Sequence, residues 1–481
     1  MERKGKRYLK LEIRISKCVC VALLAISFCQ ATCLGQTRAF DYGADPMRYL
    51  SNSRLRLGVD LSLGGAVTVL EDKANGGANM INSHDWGRQI QLSYYSGPTP
   101  YIGPNGEKPH EVWAKLGWNP IQSGSVGKVK SKTIACEQPD PLTLRVRCIP
   151  MQWPHINVPG DCIFEVTYRL VGANAIEMTA RIINSRSDKT QYPAKHQEMP
   201  ALYTNGSWYK LVAYTGDEPF SNQPVTTLVD KKDGKGWPWL SFYTPERWTA
   251  LVNGKEKGVG VYQPDVTRFT AGFAGGDAKK GTGGPKEGPA GYIAPIAFCI
   301  LDANIDWTYK AYLIVGSVDE IRGFVRERHP RPAGLSWIFE KERLGWYYQG
   351  GATDTGWPIK EALNITYKAK PRASLAGPET FWPAAEAPVA VIEAAFSGNV
   401  SNRPCTAQLV IRSTDERPPL TYPLEVTPDG IMRTYRVKLD AQVAYKDTLK
   451  QMLLRFPEAD GTVRVRKILL GRAPSTIVAA P

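Results

Sequence analysis

Seven side chains able to hold or react with a polar ring fall within twelve residues of the segment Asn79–Tyr95: His84, Asp85, Arg88, Gln89, Gln91, Tyr94 and Tyr95. A solvated loop has little use for paired tyrosines, and a core strand has little use for Asp, Arg and Gln together. The mixture suits a concave surface that hydrogen-bonds sugar hydroxyls and stacks on a sugar face. On this reading Asp85, Arg88, Gln89 and Tyr95 bind, while His84 and Tyr94 carry protons. The alternative is a structural Asp85–Arg88 pair at a strand end.

A second group sits in Tyr192–Tyr203. His196 and Glu198 are two residues apart and share a face if the piece is extended. A half-buried cleft tunes both groups toward neutral pH, so they can divide acid and base work. Tyr203, closing the same run, is a further binding or proton-transfer group. The remaining histidines, His110 and His155, lie in Pro-containing loops, and His329 follows a helix whose dipole it would cap.

Aromatic residues give a third pattern. Trp118 with Asn119 and Gln122, and the pair Trp237 and Trp239, occupy Gly-, Pro- and Asn-rich contexts suited to stacking on sugar rings; core packing explains tryptophans equally well. Gly-x-Ser-x-Gly and His-Glu-x-x-His are both absent, which argues against a serine hydrolase elbow and a zinc protease helix. The glycine-rich run Gly272–Gly291 lacks the P-loop signature and reads as a surface loop or a lid. No cofactor is expected, and a loop-bound Ca²⁺ is neither required nor excluded.

The elements that must position these groups read as strands. Leu55, Leu57, Val59, Leu61 and Leu63 alternate with polar or small residues, and Gly64-Gly65 turns the chain back through Ala66–Leu70. Phe164–Leu170 and Ile176–Ile182 alternate on either side of Gly172-Ala173-Asn174, a hairpin signal. The best helix is Ser317–Arg328, with Ser317 and Glu320 as a capping box. One late helix among many strands implies an all-β chain: a large antiparallel β-supersandwich over residues 37–365, a linker at 366–388, and a smaller jelly-roll-like β-sandwich at 389–481.

Residues 1–36 read as an export signal: a basic start, the short apolar run Cys18–Phe28, then small residues. A lipoprotein anchor at Cys33 is a weaker fit, and no other apolar run is long enough for a membrane helix. Secretion or a periplasmic location follows as an expectation. This leader carries +5 of the formal +14 charge, leaving +9. In an exported protein that favours an acidic polysaccharide over nucleic acid. Of the five later cysteines, the cluster Cys136, Cys148 and Cys162 could supply one disulfide.

The combination of Asp85, Gly87 and Arg88 early, His196 after the strand end at Asn184, and the run Gly258–Tyr262 resembles the galactose-mutarotase-like supersandwich proteins. That group includes aldose epimerases, polysaccharide lyase domains and glycoside hydrolase domains. The resemblance implies that Arg88 holds the sugar and His196 is the acid; the family's late glutamate base has no match here. The closing run Tyr435–Asp440, Leu449–Phe456 and Gly461–Leu470 is similar to carbohydrate-binding jelly rolls. The expectation is an exported enzyme cleaving a polysaccharide or oligosaccharide, as a lyase or a glycoside hydrolase. A non-catalytic sugar-binding envelope protein and an epimerase of free sugars are the rivals.

Overall fold

The computed structural model describes residues 38–228, 239–274, 284–329, 335–398, 404–415 and 417–472. The expected leader, Trp237 and the middle of the glycine-rich loop lie outside these.

The period-2 runs become antiparallel strands, because alternating side chains let each strand bury one face. In the first domain a ten-stranded sheet runs Met47–Ser51, Leu55–Asp60, Ala66–Asp72, Ile90–Ser93, Lys195–Asn205, Ala290–Cys299, Arg268–Ala274 and Leu240–Tyr243. Two short strands, Pro120–Ile121 and Met151–Gln152, extend from Ile90–Ser93. Facing it, a nine-stranded sheet runs Thr226–Leu228, Lys210–Ala213, Trp248–Val252, Lys257–Tyr262, Asp306–Ser317, Ala175–Asn184, Cys162–Val171, Thr143–Ile149 and Lys132–Asp140. Leu57, Ile90, Leu92, Phe164, Ile182, Phe269 and Leu313 fill the space between them and are sealed from solvent. The expected hairpin at Gly172 forms, with Val171 opposite Ala175. Gly172 itself takes φ +62°, a conformation that costs glycine nothing.

The helix Val318–Arg328 lies on the outer face of the nine-stranded sheet, where Ile321, Phe324 and Val325 meet Trp248, Tyr262 and Ile314. Its capping box forms as read: Ser317 Oγ accepts from Glu320 N–H, and Ser317 N–H donates to Glu320. His329 caps the C-terminus through its backbone. Its ring does not serve the dipole, because burial and the nearby Arg247 push its pKa down to about 4 and keep it neutral. Among the described residues no helix is long and apolar enough to cross a membrane.

The second domain begins at Leu335, not at Val389. It has two six-stranded sheets. One contains Leu335–Ile338, Thr353–Asp354, Leu363–Tyr367, Gly461–Gly471, Val389–Gly398 and Arg433–Lys438. The other contains Tyr347–Gln349, Ser374–Ala376, Trp382–Pro383, Thr448–Arg455, Cys405–Ser413 and Leu420–Val426. The expected linker at 366–388 therefore carries strands that pair with Thr448–Arg455. They are too short, and too interrupted by proline and glycine, to show a period in the sequence.

All five cysteines of the described residues are free thiols, so the expected disulfide does not form. Cys136 faces Val146 across its strand pair, while Cys148 faces Thr133 and Phe164. The two domains are tied by a buried polar knot. Arg343 bonds Asp302 of the first domain at 2.5 Å and grips Asp354 with two bonds of 2.7 Å. Gln191 reaches both aspartates, and Tyr348 OH donates to Asp354 at 2.7 Å. Burial opposes the charge on Arg343, but Asp354 and Asp302 more than offset it and the guanidinium stays charged.

Candidate functional site

The face of the ten-stranded sheet turned away from the core gathers most of the reactive groups. In strand Ala290–Cys299, Tyr292, Ala294, Ile296 and Phe298 point to that face. Opposite them on Lys195–Asn205, His196 pairs with Phe298, Glu198 with Ile296, and Tyr203 with Tyr292. His196 and Glu198 are even-numbered, Ala201 and Tyr203 odd. A one-residue bulge between Glu198 and Leu202 changes the parity, so all four share one face. On the other side, strand Ile90–Ser93 presents Gln91 opposite Ala201 and Ser93 opposite Glu198, and Tyr95 continues the same alternation.

Glu198 is the centre of this arrangement. Tyr292 OH donates to its Oε1 at 2.5 Å. Ser93 Oγ lies 3.1 Å from Tyr95 OH, and both hydroxyls also bear on the carboxylate. Burial pushes the Glu198 carboxyl above the usual carboxylate range, and these three hydroxyl groups only partly offset it. Burial, then the Glu198 charge, holds Tyr292 and Tyr95 well above the ordinary phenol pKa, so both act as neutral donors. Tyr203 and Tyr292 stand 4.8 Å apart between ring centres, and Trp239 lies 5.0 Å from Tyr292. The result is a carboxyl at the edge of a three-ring aromatic platform.

Asp85 and Arg88 border the same platform, close enough for their charges, with that of Glu198, to act on Tyr203. They pair with each other at 3.1 Å, and Arg88 Nη1 donates to Gly288 O at 2.7 Å. The end of the glycine-rich connection docks on this turn: His84 Nδ1 lies 2.8 Å from Lys286 O, and Asn82 donates to Glu287 O at 2.9 Å. His84 therefore faces a backbone carbonyl and not the Glu198 cluster.

His196 stands on the groove wall, open to solvent, with its ring 5.1 Å from that of Phe298. The surrounding protein, and secondarily Arg268, depress its pKa and favour the neutral base. Beyond it opens a cavity of ≈ 720 Å³ between the two domains.

Several expected site residues belong to the scaffold. Tyr94 alternates with Ile90 and Leu92 into the core, is 0% exposed, and packs edge-on against Phe164, so it cannot exchange protons with a substrate. Trp118 is equally sealed, its Nε1 donating to Asp161 at 2.8 Å, and offers no stacking face. Asn119 donates to Tyr94 O, and Gln122 bridges Leu92 N and Gly64 O, both buried. Gln89 is buried and donates to Asp85 O at 2.7 Å, holding the turn instead of a ligand. Tyr292, Ser93, Phe298 and Arg268 were not picked out. Nothing local marks Tyr292 and Phe298, because Tyr292–Phe298 mixes large and small residues on both faces of the strand. Among the described residues no group of three His, Cys, Asp or Glu stands close enough to hold a metal ion.

No protein-family model matches the chain, and no curated protein resembles it in sequence. Some solved structures do resemble it in shape. The Slr1438 protein of Synechocystis sp. matches at 11% identity and TM-score 0.35, over 58% of this chain and 99% of its own. A mutarotase, YeaD, of Salmonella typhimurium matches at 11% identity and TM-score 0.30, over 56% and 90%. The heparan sulfate lyase HepC of Pedobacter heparinus matches at 9% identity and TM-score 0.24, over 74% of this chain and 46% of that one. The chain thus spans less than half of that lyase. At these identities and scores the likeness reaches no further than the layout of strands.

Proposed function

We propose that the chain is an exported carbohydrate-active enzyme that cleaves an acidic polysaccharide by β-elimination, with the Glu198 cluster as its reactive centre. The observation that carries this reading is the 2.5 Å Tyr292–Glu198 bond inside an aromatic platform, with His196 two residues away on the same face. Their surroundings move the two groups apart in pKa, Glu198 upward by burial and His196 downward by the protein packed around it and by Arg268. A carboxyl held above its ordinary pKa and an imidazole held below its own are shifted in the directions that suit an acid and a base. Two extended residues separate them by about 7 Å, enough to flank one glycosidic bond.

In the proposed step Arg88, which borders Tyr203 at the far end of the platform from His196, holds the carboxylate of a neighbouring uronate of the same chain. Neutral His196 takes the C5 proton, and the C5–H electrons become the C4–C5 double bond. The C4–O bond breaks, and the leaving oxygen takes a proton from Glu198, with Tyr292 returning the hydrogen bond to the carboxylate. Tyr203 and Trp239, backed by buried Tyr292, stack on the ring. The leader read in residues 1–36 supports action outside the cytoplasm.

The test is a screen of the purified chain against acidic and neutral polysaccharides, following ultraviolet absorbance of unsaturated uronate and new reducing ends together. Both signals on an acidic polymer are expected. Reducing ends alone would mean hydrolysis, and binding with neither signal would mean a sugar-binding protein.

A further inference from the structure

We infer that the cavity between the two domains is a second saccharide subsite, which holds the stretch of an acidic chain beside the bond at Glu198 and meets its carboxylate or sulfate with Arg268. The inference rests on the proposed function, because the two sites share one substrate chain.

The cavity measures ≈ 720 Å³, within the range of sites for small ligands, and both domains build it. His196 lines it and also stands on the Glu198 face, so the two spaces are continuous along one strand. Phe298 of the first domain is left 36% exposed and meets Tyr347 of the second edge-on at 4.5 Å. An exposed phenyl ring at a cavity wall, backed by buried Tyr347, suits the apolar face of a sugar.

The polar lining divides into two ends. At the His196 end, Arg268 forms no ion pair with a carboxylate among the described residues; its Nε donates to Ser241 Oγ at 3.2 Å and its guanidinium lies 6.0 Å from the Tyr243 ring centre. Glu379 nearby is already engaged by Tyr243 OH at 2.9 Å and by Lys450 at 3.5 Å. That leaves Arg268 as the group with spare charge and spare donors for an anion. At the far end stand Arg247, Asp265 and Glu342. Arg247 takes φ +62°, a left-handed conformation that a side-chain-bearing residue adopts at a cost of about 1 kcal/mol or more. Its Nη1 donates to Pro264 O, while its buried Nε has no partner. Mixed charges with an unfilled donor suit sugar hydroxyls, so the chain would lie with its anionic group toward Arg268.

The experiment uses the full chain carrying Glu198→Gln, titrated with uronate oligosaccharides graded from disaccharide to octasaccharide, with intrinsic tryptophan fluorescence as readout. Affinity is expected to climb with length. Adding Arg268→Ala should flatten that climb by tenfold or more at the longest oligomer and leave the disaccharide unchanged. Arg268→Lys should restore part of it, and Tyr347→Ala should weaken the long oligomers too. An unchanged length dependence in Arg268→Ala, or no binding at any length, would overturn the subsite. Cleavage is scored separately on the unsubstituted chain. Cleavage with an Arg268-insensitive length dependence sinks the subsite and keeps the lyase; an Arg268-sensitive length dependence without cleavage does the reverse.

Discussion

Tyr94 and Tyr95 are adjacent in sequence and opposite in fate. Strand periodicity already separates them, since Ile90, Leu92 and Tyr94 form the apolar set and Gln91, Ser93 and Tyr95 the polar one. The burial of Trp118, Asn119 and Gln122 was not legible, because a polar residue bridging two backbone groups in the core has the same composition as one binding a sugar. Two outcomes follow at this scale. Tyr292→Phe removes a bond that lowers the Glu198 pKa, so the pH at which activity falls off on the alkaline side should rise by about one unit, read from a pH–rate profile. Glu198 with its raised pKa releases its proton less readily folded than unfolded. Its ionisation therefore costs stability as pH rises from its unfolded pKa through its folded one. Glu198→Gln should be at least as stable as the parent at neutral pH, with the difference closing in acid; a variant melting well below the parent at neutral pH would contradict this.

Strands and the helix were the most readable elements, because their patterns depend on local alternation and capping. The expected runs Phe164–Leu170 and Ile176–Ile182 sit inside observed strands Cys162–Val171 and Ala175–Asn184. The bulge in Lys195–Asn205 was not readable, since its register is set by two partner strands far away in sequence. It is what brings Tyr203 to the side of Glu198. At the helix, Ser317→Ala removes one half of the capping box and should cost about 1 kcal/mol in chemical denaturation. His329 binds its proton more weakly folded than unfolded, with a folded value of about 4. Stability should therefore fall as pH drops from about 6.5 toward 4, and His329→Gln should flatten that loss, by an amount on the order of 1 kcal/mol after screening. An unchanged acid melting curve would count against the neutral ring.

Across the whole molecule, the architecture of two β-sandwiches was legible and the boundary between them was not. Strands such as Tyr347–Gln349 and Ser374–Ala376 have three residues each, too few for a period, and the aromatic residues around Trp337 and Trp346 look the same in either domain's core. The domains are joined through Arg343, which is held by Asp302 and Asp354 with little contact with solvent. Arg343→Ala leaves two buried carboxylates without their cation, and breaking such a network costs about 3–5 kcal/mol. A separate, lower transition for the second domain is expected in calorimetry. A single unshifted transition would show that apolar packing alone holds the seam.

The central claim is that Glu198 reacts and does not merely bind. The most direct measurement compares the unsubstituted chain with Glu198→Gln on the acidic polymer that the screen identifies, recording unsaturated product under single-turnover conditions alongside binding. The account predicts binding within a few-fold of the parent and a rate lower by about a hundred- to ten-thousand-fold. Product formation by Glu198→Gln at the parent rate would contradict it.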